Sequence, residues 1–226
     1  NNPTFVAKIS KLDTINLSIR CVTQERNYLY GGGRVNDTFG IIIMDIANID
    51  TPIILNIYEL KGLPISIKIL QGYLFCVAEN EGVIVFNKID NGRSLEKIEE
   101  IGIVSVKAIK PIFWKDSCFL WVLTPDSIFG FNIQNFQKVF AYQLEIPYGE
   151  DIDVNGKYIY VAEGIEGFEI LEIRQNRKMA QVGYCGGGVN GVQSYQIIAD
   201  SCFIYTDGIW ILKFLSYTSQ VKKEDS

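Results

Sequence analysis

Carboxylates and thiols are the reactive groups this chain offers, because it contains no histidine at all. Without an imidazole there is no Ser-His-Asp or Cys-His relay and no His-ligated metal. Two-carboxylate chemistry is the remaining hydrolytic option. A glycoside hydrolase needs an acid and a base or nucleophile facing each other across the scissile bond. Glu150, Asp151 and Asp153 are the acids best placed for it, yet they come from one segment, and Ser66, Ser105 and Gln196 stand at the matched positions of the other segments. Hydrolysis is therefore the reading with least support. No catalytic residue is assigned, and Asp151 is expected to cap backbone amides. Glu79-Asn80-Glu81 and Glu163-Gly164-Ile165-Glu166 could offer oxygen ligands to Ca²⁺, but the D-x-D-x-D-G spacing is missing. They are expected to be solvated turns, with no metal or cofactor.

The cysteines Cys21, Cys76, Cys118, Cys185 and Cys202 form no C-x-x-C pair, so zinc-ribbon and thioredoxin-like chemistry is excluded. Five is an odd number, and buried reduced thiols are expected, since free cysteine packs as a small hydrophobe. Cys185, beside Gly186-Gly187-Gly188, is the candidate for an exposed, intermolecular or reactive thiol. That glycine run and Gly31-Gly32-Gly33 are expected to be permissive turns rather than phosphate cradles, which need a following helix. Asn36-Asp37-Thr38 and Asn16-Leu17-Ser18 fit the N-glycosylation sequon, Asn36 being the better placed in a polar, Gly-rich loop. Trp114 falls in a segment, KPIFWKD, that reads as an insertion, and a loop aromatic is available for partner contact.

What must position these residues is a repeat. Strand-like runs begin at Tyr28, Tyr73, Phe119, Tyr158 and Phe203, 39 to 46 residues apart. Each is followed, after a polar turn, by a second run opening at Gly40, Gly82, Ser127, Gly167 or Gly208. Both runs are short and rich in Ile, Val, Phe and Tyr, the pattern of a hairpin. Alternating segments flank them: ISIKIL from Ile65 and DIDVNG from Asp151 before, IILNIY from Ile53 and KMAQVGY from Lys178 after. LEKIEEI from Leu95 has helical propensity, but its place in the repeat makes it a fourth strand. Four strands recurring radially are the signature of a β-propeller blade. The expectation is an all-β, five-bladed β-propeller of four-stranded antiparallel blades over residues 1–215, with a polar tail or linker at 216–226. TFVAKI after Asn2-Pro3 matches the fourth-strand sequence after Thr51-Pro52, whereas GIWILK is a third strand. The ring is thus expected to close by the N-terminal strand completing the last blade, leaving no open edge at the seam.

YLFCVAENEGVIVFN and YIYVAEGIEGFEILEI resemble LVIVD repeats, one per propeller blade, and GIIIMDIANIDTP matches the second half of that motif. The resemblance spans roughly residues 3 to 215 and is weakest in the third and fifth blades. It implies a propeller with a surface or secreted setting and supplies no catalytic residue to carry over.

Composition narrows the partners. With 26 acidic against 21 basic residues, the net charge of −5 gives no general cationic field for nucleic acid or an anionic membrane. No apolar run approaches about 18 residues, so no transmembrane segment is expected. The opening Asn1-Asn2-Pro3 reads as that of a mature or excised piece. The functional expectation is a non-enzymatic structural, adhesive or protein-interaction propeller of a cell surface or extracellular material, self-associating or bound to protein partners. The alternative is a carbohydrate- or peptide-binding, lectin-like propeller.

Overall fold

The computed structural model describes residues 11–12, 15–174, 178–186, 194, 196–199, 203–206 and 211–213. The described strands form antiparallel sheets in which each strand lies beside its sequence neighbours of the same sheet. The first sheet joins β1 (Lys11–Leu12), β2 (Ile15–Glu25), β3 (Tyr28–Val35), β4 (Thr38–Asp45) and β5 (Ile53–Leu60). The second joins β6 (Pro64–Leu70), β7 (Tyr73–Ala78), β8 (Gly82–Ile89) and β9 (Ser94–Ile101), and the third β10 (Ala108–Trp114), β11 (Ser117–Leu123), β12 (Ser127–Asn132) and β13 (Lys138–Gln143). The fourth joins β14 (Asp151–Asn155), β15 (Tyr158–Ala162), β16 (Gly167–Ile173) and β17 (Met179–Gly186). Three short strands follow as a sheet of their own: β18 (Ile197–Ala199), β19 (Phe203–Thr206) and β20 (Ile211–Lys213). The all-β, antiparallel, hairpin-built fold is as expected. The segment expected to close a ring, from Asn2 to Ile9, lies outside the described residues, as do Cys202, Gly187, Gly188 and residues 214–226.

Contacts divide the chain into two compact units, Asn1–Ala141 and Tyr142–Ser226. In the first unit the central hairpin β7–β8 is buried on both faces. Leu74, Cys76, Ala78, Ile84 and Phe86 pack with Tyr30, Ile41 and Ile43 of the first sheet. Phe75, Val77, Val83 and Val85 pack with Ile109, Leu120, Val122 and Phe131 of the third. Successive residues of a strand point to opposite faces, so a strand covered on both sides reads as an unbroken apolar run. Each fully buried side chain of this size contributes roughly 1.5–3 kcal/mol. In the second unit, Tyr160, Ala162, Phe168 and Ile170 pack in the same way with Ile197 and Ile204.

LEKIEEI is a strand, since β9 pairs along β8 and tertiary pairing outweighs helix propensity. Two expectations are corrected. KPIFW is no insertion: it lies within β10, with Pro111 opposite Leu120 and Trp114 opposite Ser117. Its proline is tolerated because β10 is at the edge of its sheet. Ser105, by contrast, precedes the strand with a φ of 58°. Gly31-Gly32-Gly33 is no turn but the middle of β3. A Cβ on Gly32 would lie 2.7 Å from Pro64 Cβ and Ile67 Cδ1 and 2.8 Å from Cys21 Sγ, so the glycine lets neighbouring strands approach.

Candidate functional site

Asp151 and Asp153 stand two apart on β14 and serve the backbone of the next sheet. Asp151 Oδ2 accepts a hydrogen bond from the Ile197 N–H at 3.0 Å, and Asp153 Oδ2 one from the Ala199 N–H at 2.8 Å. Their Oδ1 atoms accept from Ile152 N–H and Val154 N–H, each at 2.9 Å. The matched spacing of two on both strands makes a ladder of charge-assisted bonds that ties β18 to β14. This is the capping expected of Asp151, extended to Asp153. Glu150, half-buried, joins the same edge through its N–H, which donates to the Ala162 carbonyl at 2.8 Å.

The unusual acids are Glu163, which the sequence placed in a solvated turn, and Glu169, which it did not single out. Val161 lies opposite Glu169 across β15 and β16, and Glu163 is two residues beyond Val161, so Glu163 and Glu169 share one face. Both are 1% exposed. Among the described residues neither oxygen of Glu163 has a hydrogen-bond partner, nor does Glu169 Oε1, while Glu169 Oε2 accepts from Gln181 Nε2 at 3.1 Å. Burial pushes Glu163 up to about 8, with further contributions from Glu169, Glu166 and Glu145. Burial likewise raises Glu169 to about 7, reinforced by Glu145 and opposed by the Gln181 hydrogen bond. Tyr142 is pushed up to about 12 by burial and by the same carboxylates. The expectation of a solvated turn at Glu163 is thus corrected. The backbone does turn there, with the Glu163 N–H donating to Gly167 O and the Glu166 N–H to Glu163 O, but the Glu163 side chain points into the fold. Among the described residues no cluster of three or more Cys, Asp or Glu could hold a metal ion. In the equivalent turn of the second sheet, Glu79 pairs with Arg20 at the surface and Glu81 Oε1 accepts from the Gly62 N–H at 2.5 Å.

In the first unit, the segment between the second and third sheets borders a cavity of about 740 Å³ lined by Ile103, Val104, Phe129, Phe131, Asp126 and Lys138 among others. A smaller one of about 230 Å³ lies against the same segment, with Ile65, Val77, Glu79 and Asn80. Val104, which borders both, is 75% exposed. Thr124 holds the β11–β12 turn, its Oγ1 accepting from the Ser127 N–H at 3.1 Å and donating to Asp126 Oδ1 at 2.9 Å. The Lys138 ammonium sits 5.2 Å from the Phe129 ring centre. An apolar trough with one acid and one base at its rim suits a short extended segment.

The remaining sequence candidates fall elsewhere. Asn16 and Asn36, both exposed, come together: the Asn16 N–H donates to Asn36 Oδ1 at 3.0 Å, and the Asn36 N–H to Asn16 O at 2.8 Å. Cys185 is not an exposed thiol; it lies on β17 opposite Phe168, half-buried against the apolar cluster of its unit. Cys21, Cys76, Cys118 and Cys185 are all free, Cys76 being fully buried. Burial raises the Cys21 thiol to about 11, which leaves it unreactive at neutral pH. Trp114 is no loop residue: its ring lies 5.9 Å from that of Phe119 and carries the Lys115 ammonium at 4.6 Å.

No family model matches the chain, and no curated protein matches it in sequence. Solved structures do match. The computationally designed Ika8 protein is 10% identical with a TM-score of 0.61, over 85% of this chain and 56% of that one. A candidate 6-phosphogluconolactonase of Bacteroides fragilis is 15% identical with a TM-score of 0.62, over 82% and 61%. U3-55K is 10% identical with a TM-score of 0.64, over 88% and 60%. The likeness is one of fold. The chain spans less than two thirds of each of these proteins.

Proposed function

We propose that the chain is a protein-interaction β-propeller of the LVIVD-repeat kind, five-bladed and closed by its N-terminal strand, that grips an extended apolar segment of a partner beside Val104. The cavity of about 740 Å³ next to this exposed valine carries the reading. Its Ile103, Phe129 and Phe131 supply apolar area, and Asp126 and Lys138 give the segment a direction. A cell-surface or extracellular setting, with glycan on Asn36 or Asn16, belongs to the same proposal and draws on the LVIVD resemblance and the exposure of both asparagines.

The experiment is selection of ten-residue peptides displayed on phage against the full chain, followed by binding to the Val104→Arg variant. Selected peptides are expected to bind the parent and lose affinity for the variant. Peptides indifferent to the substitution, or none selected at all, would overturn the reading. A glycan array with specific hits that survive Val104→Arg would favour the lectin-like alternative instead.

Self-association is a second reading with an observation of its own. The edge strands β5 and β17 expose Ile53 (62%) and Val182 (48%), and apolar edges are templates for pairing with another chain. Sedimentation that stays monomeric at high concentration would remove it.

A further inference from the structure

We infer that the Glu163–Glu169 cluster of the second unit is a receptor for one organic cation, an alkylammonium or guanidinium head, lying between the β15–β16 turn and the Tyr184 side of β17. The inference is independent of the peptide groove.

Three of the four carboxylate oxygens of Glu163 and Glu169 are buried with no donor among the described residues, a state that costs several kcal/mol for each acid that is ionised. The groups acting on them from neighbouring elements are also acidic: Glu166 on the turn and Glu145 on the segment after β13. Tyr142 of β13, Gln181 and Tyr184 of β17 complete the surroundings, and neither Lys nor Arg is among the groups that shift Glu163 or Glu169. Two buried glutamates thus stand at hairpin positions where the second and third sheets carry no acid. At the same two places on their hairpins those sheets carry Ala78 with Ile84 and Thr124 with Phe129. The fold itself therefore does not require the acids.

The arrangement suits an organic head better than a divalent metal. No cluster of three or more metal-ligating side chains occurs among the described residues, whereas Ca²⁺ takes six to eight oxygens. Tyr184, opposite Glu169 on β17, is fixed by its hydroxyl donating to Glu166 O at 2.9 Å and offers an aromatic face. In the free protein, burial keeps the two acids titrating near neutrality, so protons stand in for the cation. Binding of the cation then displaces protons. Because both Glu163 oxygens are shielded, admission requires the turn to yield; it carries Gly164 at a φ of 60° and Ile165 at 50% exposure.

The test is calorimetric titration of the full chain with n-butylamine and n-butylguanidine at pH 6 and pH 8, in two buffers of different ionisation enthalpy. Saturable one-site binding is expected, tighter at pH 8, with proton release at pH 6. Glu163→Gln, which mimics the protonated acid and keeps the fold, should weaken it by a factor of about ten or more, while Glu79→Gln in the second sheet leaves it unchanged. A capped Gly-Lys-Gly peptide binding like butylamine would assign the head to a partner's side chain; binding of the free amine alone would assign it to a small molecule. No saturable binding of either probe, equal binding by Glu163→Gln, or tightening with falling pH would overturn the inference.

Discussion

The β11–β12 turn of the third sheet and the β15–β16 turn of the fourth occupy the same place in the repeat and have opposite character. Thr124 caps its own turn and Phe129 lines an open apolar cavity. Glu163 and Glu169, at the corresponding positions, are closed in, and among the described residues only Glu169 Oε2 has a donor, Gln181. The hairpin register is fixed by backbone pairing, so these two positions can carry different side chains: a packed Ala78 and Ile84 in the second sheet, Thr124 and Phe129 in the third, and two acids in the fourth. The comparison teaches that one backbone register accommodates a self-capped turn beside an open cavity in one sheet and two buried acids in the next.

Moving the acid across should have the largest effect. Thr124→Glu places an unpaired carboxylate at a site 5% exposed and is expected to cost about 3–5 kcal/mol in urea unfolding at pH 7. The reverse exchange, Glu163→Thr with Glu169→Phe, should stabilise the second unit by about 1–4 kcal/mol at pH 8. An unchanged or lower midpoint would show that the acids are satisfied after all. Removing a ladder rung, Asp153→Ala, leaves the Ala199 N–H without its acceptor and should cost roughly 1.5–3 kcal/mol.

The pH dependence comes next. The folded-state values of Glu163 and Glu169 lie above the ordinary carboxylate value, so the folded protein binds more protons than the unfolded between about 4.5 and 8. Their contribution is present in full below that window and is lost as the pH rises through it, by up to about 1.4 kcal/mol per pH unit for each group. The Glu163→Gln, Glu169→Gln double variant should flatten the slope. Smallest of all, Val104→Arg should shift stability by less than about 0.5 kcal/mol while abolishing peptide binding, which separates the groove from the fold.

Much of this architecture is legible in the chain. Hairpins such as YLFCVA and GVIVFN declare themselves because strands covered on both faces cannot alternate with polar residues. What the sequence does not reveal depends on contacts with neighbouring strands and sheets. Pro111 and the aromatic run around Trp114 break the repeat's look, although an edge strand accepts both. Gly31-Gly32-Gly33 reads as a turn until Pro64 and Ile67 are known to press on it. Cys185 beside glycines looks exposed until Phe168 is seen across the pair. Glu163, in a Gly-flanked polar turn, gives no local sign of burial. Only its phase, two residues beyond Val161 and across from Glu169, turns it inward, and aligning it with Ala78 and Thr124 is the signal that finds it.

Carbon-13 NMR of the full chain labelled at glutamate Cδ, titrated from pH 4 to 9, tests the central claim most directly. Two carboxyl resonances should titrate near 7 and 8, one vanishing in Glu163→Gln and the other in Glu169→Gln. Every glutamate titrating in the ordinary range near 4.5 would contradict the account.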